Sequence, residues 1–110
     1  MALTRDFRET VLRRVQRDPG FGRALLQEAV DAMIAGDLET GKALIRDYIN
    51  ATVGFEKLGR DTRTSPKSLM RMFSSAGNPQ ARNLFAVLDA LQASAGVRLR
   101  VVASGRGRAA

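Results

Sequence analysis

The sequence contains no cysteine, no histidine and no tryptophan, and only one tyrosine. Without Cys or His there are no disulfides, no thiol redox chemistry and no zinc-finger ligand set. Nucleophile schemes built on a thiol or an imidazole base are excluded too. No N-terminal run joins a basic segment to an apolar one, and no stretch approaches the roughly 20 apolar residues of a membrane span. A soluble cytoplasmic protein is therefore expected. The carboxylates are scattered, and Gly36 and Gly41-Lys42 lack the spacing of a phosphate-cradling loop. Catalytic residues, metal ligands and cofactors are not expected, and the chain reads as a non-enzyme.

What is present fits a single domain: 110 residues, 45% hydrophobic and 26% charged, an ordinary globular composition. The net charge is +7, and it is unevenly placed. Residues 1–53 hold 8 basic and 8 acidic side chains, whereas residues 54–110 hold 10 basic and 3 acidic ones (Glu56, Asp61, Asp89). The whole excess lies in the second half. A neutral half beside a cationic half suits a protein that turns one surface to a polyanion. Solubility alone would not require the segregation.

Apolar periodicity and stop signals divide the chain into helices. Leu3, Phe7, Val11 and Val15 recur every four residues and predict an amphipathic helix. Asp18-Pro19-Gly20 stops it and starts another, with Asp18 as N-cap and Pro19 at the first position. That helix runs to about Ala35 with Phe21, Leu25, Leu26, Ala29, Val30, Met33 and Ile34 on a wide apolar face. Gly36 suits a left-handed C-terminal position and Asp37 the next N-cap. Helix three, about 38–53, buries Leu44, Ile45, Tyr48, Ile49 and Thr52 or Val53. Two short helices follow at roughly 55–62 and 66–74, and a sixth runs from about Pro79 to Ala95 with Ala81, Leu84, Phe85, Leu88, Leu91 and Ala95 inward. After Gly96, Val97-Arg98-Leu99-Arg100-Val101 alternates apolar and cationic residues, which predicts a strand. Alone in a helical domain, its Val97, Leu99 and Val101 are expected to pair with a second copy or another protein. The expected architecture is all-α, five to six helices over residues 1–103 with a short C-terminal β-strand, and a disordered basic tail at 104–110.

The stretch 55–74 fits a helix-turn-helix. Leu58 faces inward, Gly59 lets the second helix cross closely, and Leu69 and Met72 form the buried side of that helix. Lys67, Ser68, Met70, Arg71 and Pro66 point away from the core. A helix anchored this way enters a major groove N-terminal turn first. Arg71 suits a bidentate contact to guanine O6 and N7, and Lys67 the same or a phosphate. The starts of the helices at 66 and 79, with Ser74, Ser75, Asn78 and Arg82, suit phosphates. Pro66, Lys67, Ser68 and Arg71 are the candidate base readers on double-stranded DNA.

The run Lys67-Ser68-Leu69-Met70-Arg71-Met72-Phe73-Ser74, then Gly77-Asn78-Pro79, then Asn83-Leu84-Phe85 with Leu88 and Leu91, resembles the phage-repressor-like (XRE-type) helix-turn-helix family. More narrowly it resembles the bacterial addiction-module antidote group, antitoxins often encoded beside a RelE-like toxin. The segment Gly36 to Phe55 is similar to that group's lead-in helix, and the resemblance covers about Phe21 to Val101. It implies a lambda-repressor-like core, a homodimer that represses its own operon, and neutralisation of a toxin. A protein-interaction module that binds a RelE-like toxin, with weak DNA binding, is the alternative. The chain departs from the pattern in three places. Arg63 stands where the turn usually carries Gly, which costs about 1 kcal/mol if the position is left-handed and opens the turn to a different shape. Thr62 replaces an aliphatic residue, and the recognition helix lacks Gln.

Other features read more plainly. Met33, Met70 and Met72 are core or crevice fillers. Phe7, Phe21, Phe55, Phe73 and Phe85 belong to the core, with Phe73 alone a possible base-stacking platform. Arg98 and Arg100 share one face of the strand, solvated or facing an acidic partner or DNA. Arg106 and Arg108 form a loose cationic tail, Arg13-Arg14 is solvated and partly paired with nearby acids, and Asp61 pairs locally with Arg60 and Arg63.

Overall fold

The computed structural model describes residues 5–105, with side chains from residue 9 onward. Leu3, the Phe7 side chain, and Arg106 and Arg108 of the tail lie outside the described residues. Six helices follow one another: α1 (Arg5–Arg17), α2 (Pro19–Ile34), α3 (Leu38–Ala51), α4 (Gly54–Thr62), α5 (Pro66–Met72) and α6 (Ala81–Ala95). None of them is long and apolar enough to cross a membrane.

Local capping chemistry sets most boundaries. The Asp18 amide donates to the Arg14 carbonyl at 2.9 Å, closing α1. Its carboxylate accepts from the Gly20 and Phe21 amides at 3.0 and 3.3 Å, opening α2 behind Pro19. Asp37 accepts from the Thr40 amide at 3.2 Å and Ser65 from the Ser68 amide at 3.1 Å. The sixth helix differs from expectation, because it begins at Ala81 and Gln80 caps it without a side-chain bond. The Gly77 amide is bonded to the Ser74 carbonyl at 3.0 Å, so Asn78 to Gln80 are used to lead the chain away from the end of α5.

One contiguous core draws Leu26 and Ala29 from α2, Ile45, Tyr48 and Ile49 from α3, and Phe55 and Leu58 from α4. Leu69, Phe73, Val87, Leu88 and Leu91 complete it. Helix α1 is part of the fold: Val15 is buried against α2 and α3, and the Arg14 guanidinium sits 4.6 Å from the Phe21 ring centre. Ile34 and Phe85, expected inward, are 66% and 64% exposed. Ile34 is the last residue of α2. On α6 the inward positions are Leu84, Val87, Leu88 and Leu91, which turns Phe85 out to the flank.

The expected C-terminal strand is not there; among the described residues no strand occurs. The alternation itself survives. Val97 and Leu99 are half-buried on the core and Arg98 and Arg100 are exposed. The Leu99 amide donates to the Gln92 side-chain oxygen at 2.7 Å and the Val97 amide to the Gln92 carbonyl at 3.1 Å. A strand is defined by its ladder, and the described chain provides no second extended segment to complete one. Val101, instead of packing, is 72% exposed.

The Thr40 hydroxyl, and then its backbone N–H, hold the Asp37 carboxyl below its ordinary value of 3.8. A group whose pKa is lowered on folding stabilises above its unfolded value and loses that contribution as pH falls through the folded one. The difference in urea midpoint between the wild type and Asp37→Ala should therefore be largest near neutral pH. It should shrink as the medium is taken below about pH 4.

Candidate nucleic-acid interface

Helix α4 is anchored by Phe55 and Leu58, and the next helix comes very close to it at Gly59. A Cβ at Gly59 would stand 2.6 Å from the Thr64 carbonyl oxygen and 3.4 Å from the Pro66 ring, so only glycine admits this crossing. Between the helices Arg63 adopts φ 56° and ψ 42°. The left-handed turn residue is thus kept by a non-glycine side chain, at a cost of about 1 kcal/mol. The Arg63 and Thr64 amides donate to the Gly59 carbonyl, and the Thr62 hydroxyl to the Leu58 carbonyl at 2.8 Å.

Helix α5 has one side in the core and one in solvent. Leu69 and Phe73 are fully buried and Met72 partly so; Lys67, Ser68, Met70 and Arg71 are exposed. Pro66 is half-buried. Lys67, Met70 and Arg71 share one face at three- and four-residue spacing. Neither Lys67 nor Arg71 forms an ion pair among the described residues. Met70, read as a filler, is 49% exposed in their midst, whereas Phe73, considered as a stacking platform, is wholly inside. Ser68 is tied to the cap, its hydroxyl accepting from the Ser65 hydroxyl at 2.9 Å.

The residues expected at phosphates separate. Ser75 and Asn78 are exposed in the loop after α5. The Ser74 hydroxyl donates to the Arg71 carbonyl at 2.7 Å and is half-buried. Arg82 is exposed in the first turn of α6, on a face it shares with Phe85 and Asp89. The amides at the start of α5 do not form a phosphate site, since Ser65 already occupies the Ser68 amide and the helix has only seven residues. Asp61 pairs with Lys57 at 2.9 Å rather than with Arg60 or Arg63, because Lys57 lies one helical turn before it. Both guanidinium groups are left exposed. Among the described residues no cluster of three or more candidate ligands could hold a metal ion.

Two cations of α3 turn inward to backbone carbonyls. Lys42 is 1% exposed, and its three ammonium donors are matched by three acceptors. These are the Ser74 carbonyl at 3.0 Å, the Gly77 carbonyl at 2.7 Å and a Glu39 carboxylate oxygen at 3.1 Å. The Arg46 guanidinium donates to the Phe73 carbonyl at 3.2 Å. Helix α3 thus satisfies carbonyls left open at the end of α5. The signal was available, for Lys42 stands three and seven residues before Ile45 and Ile49, on the apolar stripe of α3.

No known protein family, curated protein or solved structure matches this chain.

Lys42→Met would keep the volume and remove the donors, leaving the Gly77 carbonyl without its partner while the Ser74 carbonyl keeps only the Gly77 amide. It should cost about 3 kcal/mol in urea denaturation. Arg63→Gly relieves the left-handed strain and should raise stability by about 0.5 kcal/mol in the same assay, after the entropic cost of glycine.

Proposed function

We propose that this chain is a sequence-specific DNA-binding regulator of the helix-turn-helix type, with α5 lying in the major groove. One observation carries the reading. Lys67, Met70 and Arg71 stand exposed on one face of α5 while Leu69 and Phe73 root its other face in the core. Arg71 is suited to guanine O6 and N7, Lys67 to a second base or a phosphate, and the Met70 thioether to a thymine methyl, each good bidentate contact discriminating by roughly 1–3 kcal/mol. Ser75 and Asn78 meet phosphates, and the unpaired Arg60 and Arg63 add to the positive field. The active species is a homodimer reading half-sites about 34 Å apart. The resemblance to addiction-module antidotes supports a narrower role, an antitoxin that represses its own operon.

A second reading has its own support. Residues 100–102 are exposed, extended in pattern and free of a ladder, and Val102 is 80% exposed. Unpaired backbone of this kind accepts a partner's strand, as a module that neutralises a RelE-like toxin would require.

Gel shifts with the DNA upstream of the gene test the first reading. Affinity should fall steeply with salt, with a log–log slope near −0.9 for each phosphate neutralised. Arg71→Ala should reduce the preference for that DNA over random sequence by about tenfold or more. Unchanged preference would remove α5 as the reader. A stoichiometric toxin complex with no DNA shift would favour the second reading.

A further inference from the structure

Helix α6 carries a second packing seam that the chain does not use on itself. Its inner side, centred on Val87, Leu88 and Leu91, is in the core. On the outer side Arg82, Phe85, Ala86, Asp89 and Ala93 recur at i, i+3, i+4, i+7 and i+11, and all five are exposed. A solvated helix face is ordinarily rich in charge, whereas this one places a single aromatic side chain among alanines, with one cation and one anion at either end. Phe85 remains 64% exposed. Neither Arg82 nor Asp89 has an ion pair among the described residues.

We infer that this face packs on a second copy of the chain, α6 against α6, antiparallel about a two-fold axis passing between Phe85 and Ala86. That axis sets Phe85 of one copy over Ala86 of the other, large on small, and Arg82 of one beside Asp89 of the other. Symmetry supplies each contact twice. Arg82 and Asp89 lie about 10 Å apart along the helix, equally far from the axis, so both ion pairs form together. A parallel pairing would instead oppose Arg82 to Arg82. The charge order along the helix is thus complementary to itself in the antiparallel sense alone, which selects a second copy as the occupant. Ala86, Asp89, Ala90 and Ala93 also line an open groove towards Lys57 and Asp61 of α4 and Arg63 of the turn after it, and Phe85 of the second copy enters it.

A single helix face buries less than the roughly 1,600 Å² of a standard interface, so the dimer dissociates on dilution. The assignment shares with the proposed function only the homodimer, and its test contains no nucleic acid, so an interface found elsewhere on the chain removes this seam without removing DNA reading by α5.

Sedimentation velocity on the full chain should show a monomer–dimer equilibrium. Phe85→Glu should weaken the dimer by about tenfold or more while leaving the helical circular dichroism unchanged, because the side chain is exposed in the monomer. Arg82→Asp and Asp89→Arg should each weaken it by placing like charges together, and the two combined should restore it with the signs exchanged. A wild type that stays monomeric at every concentration overturns the inference. So does a Phe85→Glu variant that dimerises like the wild type, which would move the interface elsewhere, such as to residues 97–102. Failure of the double variant to recover excludes the antiparallel seam.

Discussion

A buried ammonium group holds the middle of this molecule together. Lys42 crosses from α3 to the end of α5 and there meets two backbone carbonyls and one carboxylate, all three of its donors matched. Taking a lysine out of water costs several kcal/mol unless every proton finds an acceptor, so the arrangement tolerates little displacement. The segment that supplies the carbonyls is correspondingly tight. A Cβ on Gly77 would collide with the Arg71 and Met72 carbonyls, which makes glycine obligatory where the loop folds back. Together with Arg46 on the Phe73 carbonyl, Lys42 fixes where α5 ends, and hence where its outer face points.

The opposite end of α5 is fixed by different means. Gly59 removes a side chain from the α4–α5 crossing, Pro66 fills the space, and Arg63 accepts a strained backbone to make the turn. A short helix pinned at both ends is a rigid support, and rigidity is what a recognition surface needs to hold side chains in register with a ligand. The charge distribution agrees with this. All the described cations of residues 54–105 are exposed, and only Lys57 is ion-paired. Mutual repulsion among unpaired cations disfavours the compact state.

Besides Met70 on α5 and Ile34 at the end of α2, the exposed large apolar side chains lie on α6 and after it. In a chain with 5% aromatic residues, one of the four phenylalanines whose side chains are described stands in solvent on α6, and two exposed valines follow the last helix. These surfaces lie on different elements and differ in chemistry. The α6 face sets Phe85 among alanines beside Arg82 and Asp89; the segment after Leu99 offers backbone groups. Both lie outside α5 and leave its cationic face exposed.

Features that depend on neighbours within one turn were legible in the sequence. Asp18 and Asp37 cap the helices assigned to them, Gly36 takes positive φ at the end of α2, and Leu58 and Leu69 are buried as their spacing implied. Lys67 and Arg71 point outward for the same reason, since a seven-residue helix with Leu69 and Met72 inside has few other ways to turn. Tertiary structure decided whatever required a distant partner. Lys42 became internal because the carbonyls it serves lie 32 and 35 residues away. Phe85 became external because Val87 and Leu88 took the core positions, a choice that the apolar pattern of α6 leaves open. The alternation at 97–101 did not become a strand because a ladder needs a second extended chain. Local geometry is set by bonded neighbours and short hydrogen bonds; burial and pairing are set by what the rest of the fold brings within reach.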